Sequence, residues 1–188
     1  MPFRLLGVVA DPSQAGDLCG HAFARYAASG TDVTLVCAAA GEWGGPDQKS
    51  AARRLGVRDL VLLDYRVSEL TAMVLQELVA DVMASVRPHV VVADGTQSAV
   101  RDAVGSAFAS VRQAAGGSSA LPAKLYYRSS PNLPVSVTTS VTVPGGAPEL
   151  FVRVFPHPWV TGVLERDLFA GVPAETQAPT RIDQQMAS

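Results

Sequence analysis

The feature that most constrains the fold is a set of short, continuously apolar runs separated by segments with helical periodicity. Arg4–Ala10, Thr31–Ala38 and His89–Ala93 are apolar almost throughout and rich in valine. Such runs are typical of strands that are buried on both faces. Strands of this kind belong to parallel sheets whose two faces are covered by helices. The sequence therefore predicts an α/β domain.

Helical segments connect these runs and complete the pattern. Gly30 and Gly56 are helix stops, and Pro88 follows the third helix. We expect Ser68 to cap that third helix. The predicted helices are 17–29, 47–55, 68–86 and 98–114, and a further strand is predicted at 60–63. The predicted apolar face of the third helix consists of Leu70, Val74, Leu78 and Val82. The order β-α-β-α-β-α-β-α predicts a Rossmann-like three-layer sandwich with a doubly wound, mostly parallel sheet.

The C-terminal third has a different pattern. Ala123–Arg128 resembles another strand, and Val135–Val143 and Glu149–Phe155 alternate between apolar and polar residues around a Pro- and Gly-rich turn. This pattern predicts a small antiparallel addition at one edge of the sheet. We expect residues 1–172 to form a single domain and the polar residues 173–188 to be a disordered tail.

Composition excludes several classes of function. The 188 residues carry a net charge of −2 without a basic stripe, so we expect no nucleic-acid partner. No apolar run approaches the roughly 18 residues that span a bilayer, and no signal-peptide pattern opens the chain, so we expect no membrane partner. Cys19 and Cys37 form no CxxC pair, which is typical of a reducing compartment. We therefore expect a soluble cytoplasmic protein.

Polar residues follow the first and fourth predicted strands. In a doubly wound sheet, ligands bind beyond the carboxyl ends of the strands, at the point where the strand order reverses. The loops after these two strands flank that point. They contain Asp11, Ser13 and Gln14 on one side and Asp94, Thr96, Gln97, Ser98 and Arg101 on the other. This position, which we call the crevice, follows from topology without any motif.

A family resemblance is carried by the segment VVADPSQAGDLCGHAFARYAASGTDVTLVCAAAGEWG. It resembles the opening of the PIG-L/LmbE family of zinc-dependent N-acetyl-sugar deacetylases. There the first strand runs into A-H-P-D-D-E, followed by a Cys-Gly helix, G-x-x-V-x-x-V and a Gly-Glu-x-Gly loop. The chain keeps Ala10, Pro12, Cys19-Gly20, Gly30, Val33, Val36 and Gly41-Glu42-Trp43-Gly44.

Later segments resemble the same family in the same order. They are LGVRDL (55–60), LDYR (63–66), RPHVV (87–91), DAVG (102–105), LYY (125–127) and DLFAG (167–171). The resemblance spans nearly the whole chain and implies the same three-layer α/β fold.

The positions that hold catalytic residues in the family are occupied by different residues in this chain. The resemblance places Asp11 at the first zinc-ligand His, Ser13 at the general base and Gln14 at the ligand Asp. Arg101 stands at the third zinc ligand, the last His of H-P-D-H, and Val67 replaces an Asp that lines the sugar site. The family's late H-x-S-Q segment has no counterpart. The chain therefore resembles a degenerate family member that lacks the zinc triad.

These replacements argue against the family's chemistry. Catalytic zinc requires about three N, O or S ligands and an open water position. Gln14 is a poor ligand and Arg101 brings a fixed positive charge, while Ser13 accepts no proton from water without a base beside it. We therefore expect neither a metal nor another cofactor at this position. Asp17 and His21, at i and i+4 of one helix, are an alternative ligand pair, although local packing or capping by His21 is the other interpretation.

Three further residues each have two interpretations. Arg101 either pairs with Asp94 or Asp11, or binds an anionic ligand group together with a helix N-terminus. Trp43 either roofs the crevice or is an aromatic at the edge of the core. His157, within the stiff sequence FPHPW, either faces a pocket or belongs to a rigid edge connection.

Three functional hypotheses remain. The first is a metal-free protein that binds a small molecule in the crevice, as a binding protein or as an enzyme. Its candidate catalytic residues are Asp11, Ser13, Asp94 and Arg101, and its candidate ligand contacts are Gln14, Trp43, Val67, Ser98 and His157. The apolar replacements Ala15, Val67 and Val100 predict an apolar or mixed-polarity organic ligand, such as a specialised metabolite. The second is a non-catalytic scaffold that contacts a second copy or another protein. The third is an N-acyl hydrolase with a different metal site.

Overall fold

One seven-stranded sheet forms the centre of the protein. The computed structural model describes residues 2–11, 14–39, 46–66, 69, 71–116, 121–128, 138–141, 149–155 and 167–172. The strands in these ranges are β1 (Arg4–Val9), β2 (Asp32–Cys37), β3 (Asp59–Leu62), β4 (Val90–Asp94), β5 (Lys124–Arg128), β6 (Thr138–Val141) and β7 (Glu149–Phe155). The helices are α1 (Gln14–Ala28), α2 (Pro46–Arg54), α3 (Ala72–Val86) and α4 (Ser98–Ala115). The strand order is β3-β2-β1-β4-β5-β7-β6.

The pairing of the strands confirms the predicted fold class. Strand β1 is parallel to β2 and β4, and the pairs β2–β3 and β4–β5 are parallel too. The last two strands add antiparallel pairs, β5–β7 and β6–β7, at one edge. The chain moves outward from β1 to β3 and then returns to place β4 on the other side of β1. The strand order therefore reverses between β1 and β4, as predicted.

Apolar residues on both faces of the sheet explain why the first, second and fourth strands are continuously hydrophobic. All five residues of β4 are buried, and the core divides into one cluster on the α1 side and another under α3 and α4. Phe23 of α1 lies directly over Gly7 of β1, where an added Cβ would come within 2.3 Å of its ring. Glycine at this position lets the helix approach the sheet closely.

Several element boundaries differ from the prediction by one to three residues. Helix α1 begins at Gln14 instead of Asp17, and Asp94 is the last residue of β4 instead of a loop residue. Residues 117–120, 135–137 and 173–188 lie outside the described residues, so the predicted glycine-serine break, the start of the sixth strand and the disordered tail stay predictions. In the described ranges, no helix combines the length and apolar character that a membrane crossing requires.

Helix α3 begins later than predicted. Its N-cap is Thr71, whose Oγ1 accepts a hydrogen bond from the backbone N–H of Val74 at 3.4 Å. The prediction that Ser68 caps this helix was wrong. Both residues are hydroxyl side chains ahead of the same apolar pattern, so local sequence alone did not distinguish them.

The buried face of α3 is one residue out of register with the prediction. Leu75, Val79 and Met83 are buried, whereas 41% of Val74 is exposed. The predicted face contained Val74, Leu78 and Val82 instead. Because α3 is apolar on most of its circumference, two adjacent stripes fit the helical period equally well. Packing against the sheet selects one of them.

The DLFAG segment closes the end of the sheet opposite to the crevice. The hydroxyl of Tyr26 donates a hydrogen bond to Asp167 Oδ1 at 3.0 Å and accepts one from the backbone N–H of Leu168 at 2.8 Å. The ring of Phe169 packs on Phe3, with 4.9 Å between centroids. This segment is therefore part of the structural core.

His89 lies at the same end. Its Nδ1 accepts a hydrogen bond from the backbone N–H of Arg4 at 3.1 Å, and its ring packs edge-on against Phe3. The residue is buried at the amino end of β4, far along the strand from Asp94. The structure thus gives His89 a packing role.

Valine-to-alanine substitutions at two positions of α3 test which face of this helix is buried. Val79→Ala should lower the free energy of unfolding by about 2 kcal/mol because it removes buried methyl groups. Val74→Ala should change it by less than about 0.5 kcal/mol, since the side chain is partly exposed and alanine favours helix. Urea unfolding measures both values. Equal losses for the two variants would contradict the observed face.

Candidate functional site

The carboxyl ends of β1 and β4 meet at the crevice. Val8 pairs with Ala93 in the sheet register, so Asp94 lies level with Val9 and Asp11 follows two residues later. Asp11 is half-buried, and Asp94 is completely buried. The structure therefore places these two carboxylates at the same edge, at the reversal of strand order where α/β proteins bind ligands.

Asp94 has one satisfied and one unsatisfied oxygen. Its Oδ1 accepts hydrogen bonds from the backbone N–H of Thr96 at 2.8 Å and from the Thr96 hydroxyl at 2.7 Å. Its Oδ2 is buried and has no hydrogen-bond partner among the described residues. A buried acceptor without a partner costs about 1–3 kcal/mol. Such an atom is a candidate for hydrogen bonding to a ligand donor.

The first residue of α4, Ser98, comes four residues after Asp94. Its N-cap residue, Gln97, has extended backbone angles of φ −92° and ψ 111° and makes no capping hydrogen bond with its side chain. The first N–H groups of a helix have no partner within the helix and carry partial positive charge. Ser98, a predicted ligand contact, is the first helical residue and is exposed. This helix end therefore presents donors beside the buried acceptor of Asp94.

Arg101 does not form the internal ion pair that the sequence analysis considered. Its Nε lies 3.2 Å from Oδ1 of Asp102, and the two side chains are 46% and 59% exposed. Within the described ranges its guanidinium pairs with Asp102 and with neither Asp94 nor Asp11. The reason is its position on the solvent side of the first turn of α4, where the adjacent carboxylate is the nearest partner.

Tyr127 links β5 to the first turn of α4, beside the crevice, and was not singled out as a site residue in the sequence. Its hydroxyl donates a hydrogen bond to the carbonyl oxygen of Arg101 at 2.8 Å. Added Cβ atoms at Gly95 and Gly105 would come within 3.0 Å of Tyr127 atoms, so both glycines permit this close packing. Burial raises the pKa of Tyr127, and the charge of Arg101 opposes that shift. The LYY resemblance was the available signal for this residue.

Two of the residues expected to make the crevice apolar belong to the core. Ala15 packs in the cluster on the α1 side, and Val100 packs in the cluster under α3 and α4. Both are buried. The apolar character of these positions is therefore explained by helix-to-sheet packing. It gives no information about the ligand.

Five predicted positions cannot be compared with the structure at the level of side chains. Ser13, Trp43, Val67 and His157 lie outside the described residues. Gln14 begins α1, but its side chain is outside the description too. Their assignment to the site stays a prediction.

A buried carboxylate that sequence reasoning missed holds α1 against β7. Glu149 is only 3% exposed, and its two oxygens accept hydrogen bonds from the backbone N–H groups of His21 at 2.9 Å and Ala22 at 2.8 Å. Nδ1 of His21 lies 3.6 Å from the same carboxylate. A single glutamate in an alternating strand next to a turn gave no sign of this contact. The imidazole of His21 is 54% exposed, and the side chain of Asp17 lies outside the description, so the alternative ligand pair stays a prediction.

Among the described residues, the donors at the crevice do not fit a zinc ion. The described residues contain no group of three His, Cys, Asp or Glu side chains that could hold a metal. Asp11 and Asp94 are the described carboxylates at this edge, and Arg101, which the family resemblance aligns with a third ligand, is a permanent cation. Zinc needs about three neutral or anionic donors. We therefore derive no chemistry through a metal here.

Comparison with known proteins gives fold-level likenesses. Neither a known family profile nor a curated protein sequence matches the chain. Among solved structures, the conserved protein TT1542 from Thermus thermophilus has 23% identity and a TM-score of 0.58, over 73% of this chain and 70% of that one. A deacetylase of the teicoplanin biosynthesis pathway has 16% identity and a TM-score of 0.54, over 74% and 78%.

A third likeness is to an enzyme of another type. GalB, the 4-carboxy-2-hydroxymuconate hydratase from Pseudomonas putida KT2440, has 19% identity and a TM-score of 0.51, over 68% of this chain and 66% of that one. Identities this low establish the fold alone. The chain thus has an α/β fold that is structurally similar to these proteins, the teicoplanin-pathway deacetylase among them.

The Cys37 thiol at the end of β2 should be unreactive in the folded protein. The residue is completely buried, and burial, with a smaller contribution from the charge of Asp11, raises its pKa from 9.0 to about 12. Because the thiolate is the reactive form, iodoacetamide at neutral pH should leave Cys37 unmodified until urea unfolds the chain. Peptide mass mapping distinguishes it from Cys19. Modification of Cys37 at the same rate with and without urea would contradict this assignment.

The raised pKa of Cys37 also makes the stability of the fold depend on pH. In the unfolded chain the thiol ionises near its ordinary pKa of 9.0, whereas in the folded protein it stays protonated up to about 12. The contribution of the Cys37 thiol to the free energy of unfolding is therefore complete below about pH 9, and it is lost as the pH rises towards 12. The free energy of unfolding should fall between about pH 8 and about pH 10.5, and Cys37→Ala should make this fall smaller. Part of the fall should remain in the variant, because burial also raises the pKa of Tyr26.

Proposed function

We propose that this protein binds a small organic molecule in the crevice without a metal. The observation that carries the proposal is Oδ2 of Asp94, a buried carboxylate oxygen without a hydrogen-bond partner among the described residues. A ligand with an N–H or O–H donor would satisfy this atom and recover the cost of its desolvation. The position at the reversal of strand order supports the same conclusion.

The surroundings of Asp94 indicate a ligand of mixed polarity. A donor group would face Asp94, and an acceptor or anionic group would be favoured at the uncapped N-terminus of α4, close to the exposed guanidinium of Arg101. Asp11 supplies a second carboxylate at the end of β1. A molecule with an amide or a hydroxyl next to an acceptor matches this arrangement of charges.

The fold does not select the reaction. Its structural neighbours include a deacetylase and a hydratase, so one scaffold carries more than one chemistry. Acid–base chemistry in this chain would rest on Asp11 and Asp94, with Arg101 as the fixed positive charge. The proposal is therefore a metal-free binding site, at which catalysis would proceed through carboxylates.

A pair of matched probes tests the role of Asp94. Benzamide offers N–H donors on an apolar ring, and methyl benzoate has the same ring without a donor. Benzamide should shift the amide signals of Asp11, Gly95 and Thr96 in a ¹H–¹⁵N spectrum and should bind about tenfold more tightly than methyl benzoate. Asp94→Asn should abolish this preference because it replaces an acceptor with an amide.

Asp102→Asn is the matched control. It removes a carboxylate from the same helix end, but this side chain is 59% exposed and pairs with Arg101. The preference for benzamide should persist in this variant. Two results would contradict the proposed role of Asp94. One is loss of the preference for benzamide in both Asp94→Asn and Asp102→Asn, and the other is equal binding of the two probes by the unaltered protein.

Zinc uptake tests the metal-free part of the proposal. After incubation with zinc and desalting, elemental analysis should find far less than one equivalent in the unaltered protein. The combined variant Asp11→His, Gln14→Asp and Arg101→His should gain measurable zinc affinity, since it supplies three ligands at the predicted positions. One tightly held equivalent in the unaltered protein that disappears in Asp11→Ala would favour the metal-dependent hydrolase.

One observation favours the scaffold hypothesis as a second candidate. Met73 and Val74 of α3 are 75% and 41% exposed, which is unusual for adjacent large apolar residues on one helix. A scaffold should show concentration-dependent association that Met73→Glu weakens, with no ligand preference at Asp94. Sedimentation analysis of the two forms separates this candidate from the first.

A further inference from the structure

A small cavity lies between α2 and the amino end of β3, at the free edge of the sheet. Its volume is about 160 Å³, and its walls are formed by Lys49, Ala52, Arg53, Val57, Arg58 and Leu60. It is separate from the crevice, because β3 lies two strands away from β1 and because Arg58 and Leu60 are at the opposite end of the strands. The proposed crevice uses none of these residues.

Three of the six lining residues are cationic. Lys49 and Arg53 are four residues apart on α2 and so lie on the same face of that helix. In the described part of the chain, neither makes a hydrogen bond or an ion pair. Two like charges at this spacing repel each other, and the repulsion is relieved when an anion lies between them.

The third cation is held in place by the sheet. Nη1 of Arg58 donates a hydrogen bond to Asp32 Oδ1 at 2.6 Å. This contact orients the guanidinium and leaves its other N–H groups available to a ligand. Arg58 is therefore a positioned donor, while Lys49 and Arg53 supply charge that no described carboxylate balances.

The floor of the cavity is apolar. Ala52 and Val57 are buried, and Leu60 contributes a partly buried side chain. A volume of about 160 Å³ corresponds to roughly five water molecules at about 30 Å³ each. This space admits a phosphate group with a few carbon atoms, and it is too small for a whole nucleotide.

From this arrangement we infer that the α2–β3 cavity binds the phosphate group of a small phosphorylated metabolite. Two cations without a carboxylate partner among the described residues match the double negative charge of a phosphate monoester better than the single charge of a carboxylate. Arginine forms paired hydrogen bonds with phosphate oxygens. The apolar floor accepts the first carbons of the ester. This site is additional to the proposed crevice and does not depend on it.

Phenyl phosphate, inorganic phosphate and benzoate are the probes for this site. Phenyl phosphate should shift the amide signals of residues 49–60 in a ¹H–¹⁵N spectrum at concentrations up to about 10 mM, and it should bind more tightly than either of the others. Arg53→Gln and, independently, Lys49→Gln should each weaken its binding about tenfold. Both side chains are exposed, so neither change should affect folding.

Arg54→Gln is the matched control, since it removes the same charge from the next residue of α2, which does not line the cavity. It should leave the affinity unchanged. If Arg54→Gln and Arg53→Gln weakened the binding of phenyl phosphate equally, the binding would depend only on general surface charge, and this result would overturn the proposal. Absence of a shift at residues 49–60, equal affinity for inorganic phosphate, or equal affinity for benzoate would overturn it as well.

Discussion

The parallel pairing of β1 with β4 is the interaction on which the rest of this structure depends. It joins two strands that are distant in sequence, buries both of them between two layers of helices, and makes the strand order reverse at their junction. Because both strands end at the same edge, the backbone places Asp11 and Asp94 there. Thr96 donates two hydrogen bonds to Oδ1 of Asp94, which offset part of the cost of burying this polar side chain.

The fold is similar to that of a deacetylase of known structure, and it does not by itself determine the residues at the strand ends. A scaffold of this kind is stabilised by its apolar strands and by helix contacts such as Phe23 over Gly7, which are independent of the residues in the loops. Loop residues can therefore change without loss of the fold. Arg101 illustrates the point, since its side chain lies in solvent beside Asp102 and contributes to no core cluster.

Periodicity predicted the strands well and the helix faces less well. A buried parallel strand is apolar at every position, so its assignment needs no knowledge of orientation, and β1, β2 and β4 were located to within about two residues. Helix α3 is different, because two stripes of its surface are apolar and only contact with the sheet separates Val79 from Val74. In the site, topology predicted the position of Asp94. The partner of Arg101 and the contact of Glu149 with α1 depend on how side chains meet in three dimensions, which no local pattern encodes.

The order of apolar runs along the chain was sufficient to predict the α/β class, the reversal of strand order and the position of Asp94 at the carboxyl end of the fourth strand. Only the tertiary structure decided which oxygen of Asp94 lacks a partner, which face of α3 is buried and where Lys49, Arg53 and Arg58 converge. The physical reason is that burial and hydrogen bonding are properties of three-dimensional neighbourhoods. Hydrophobic periodicity specifies which residues avoid water, and packing specifies what each of them meets instead.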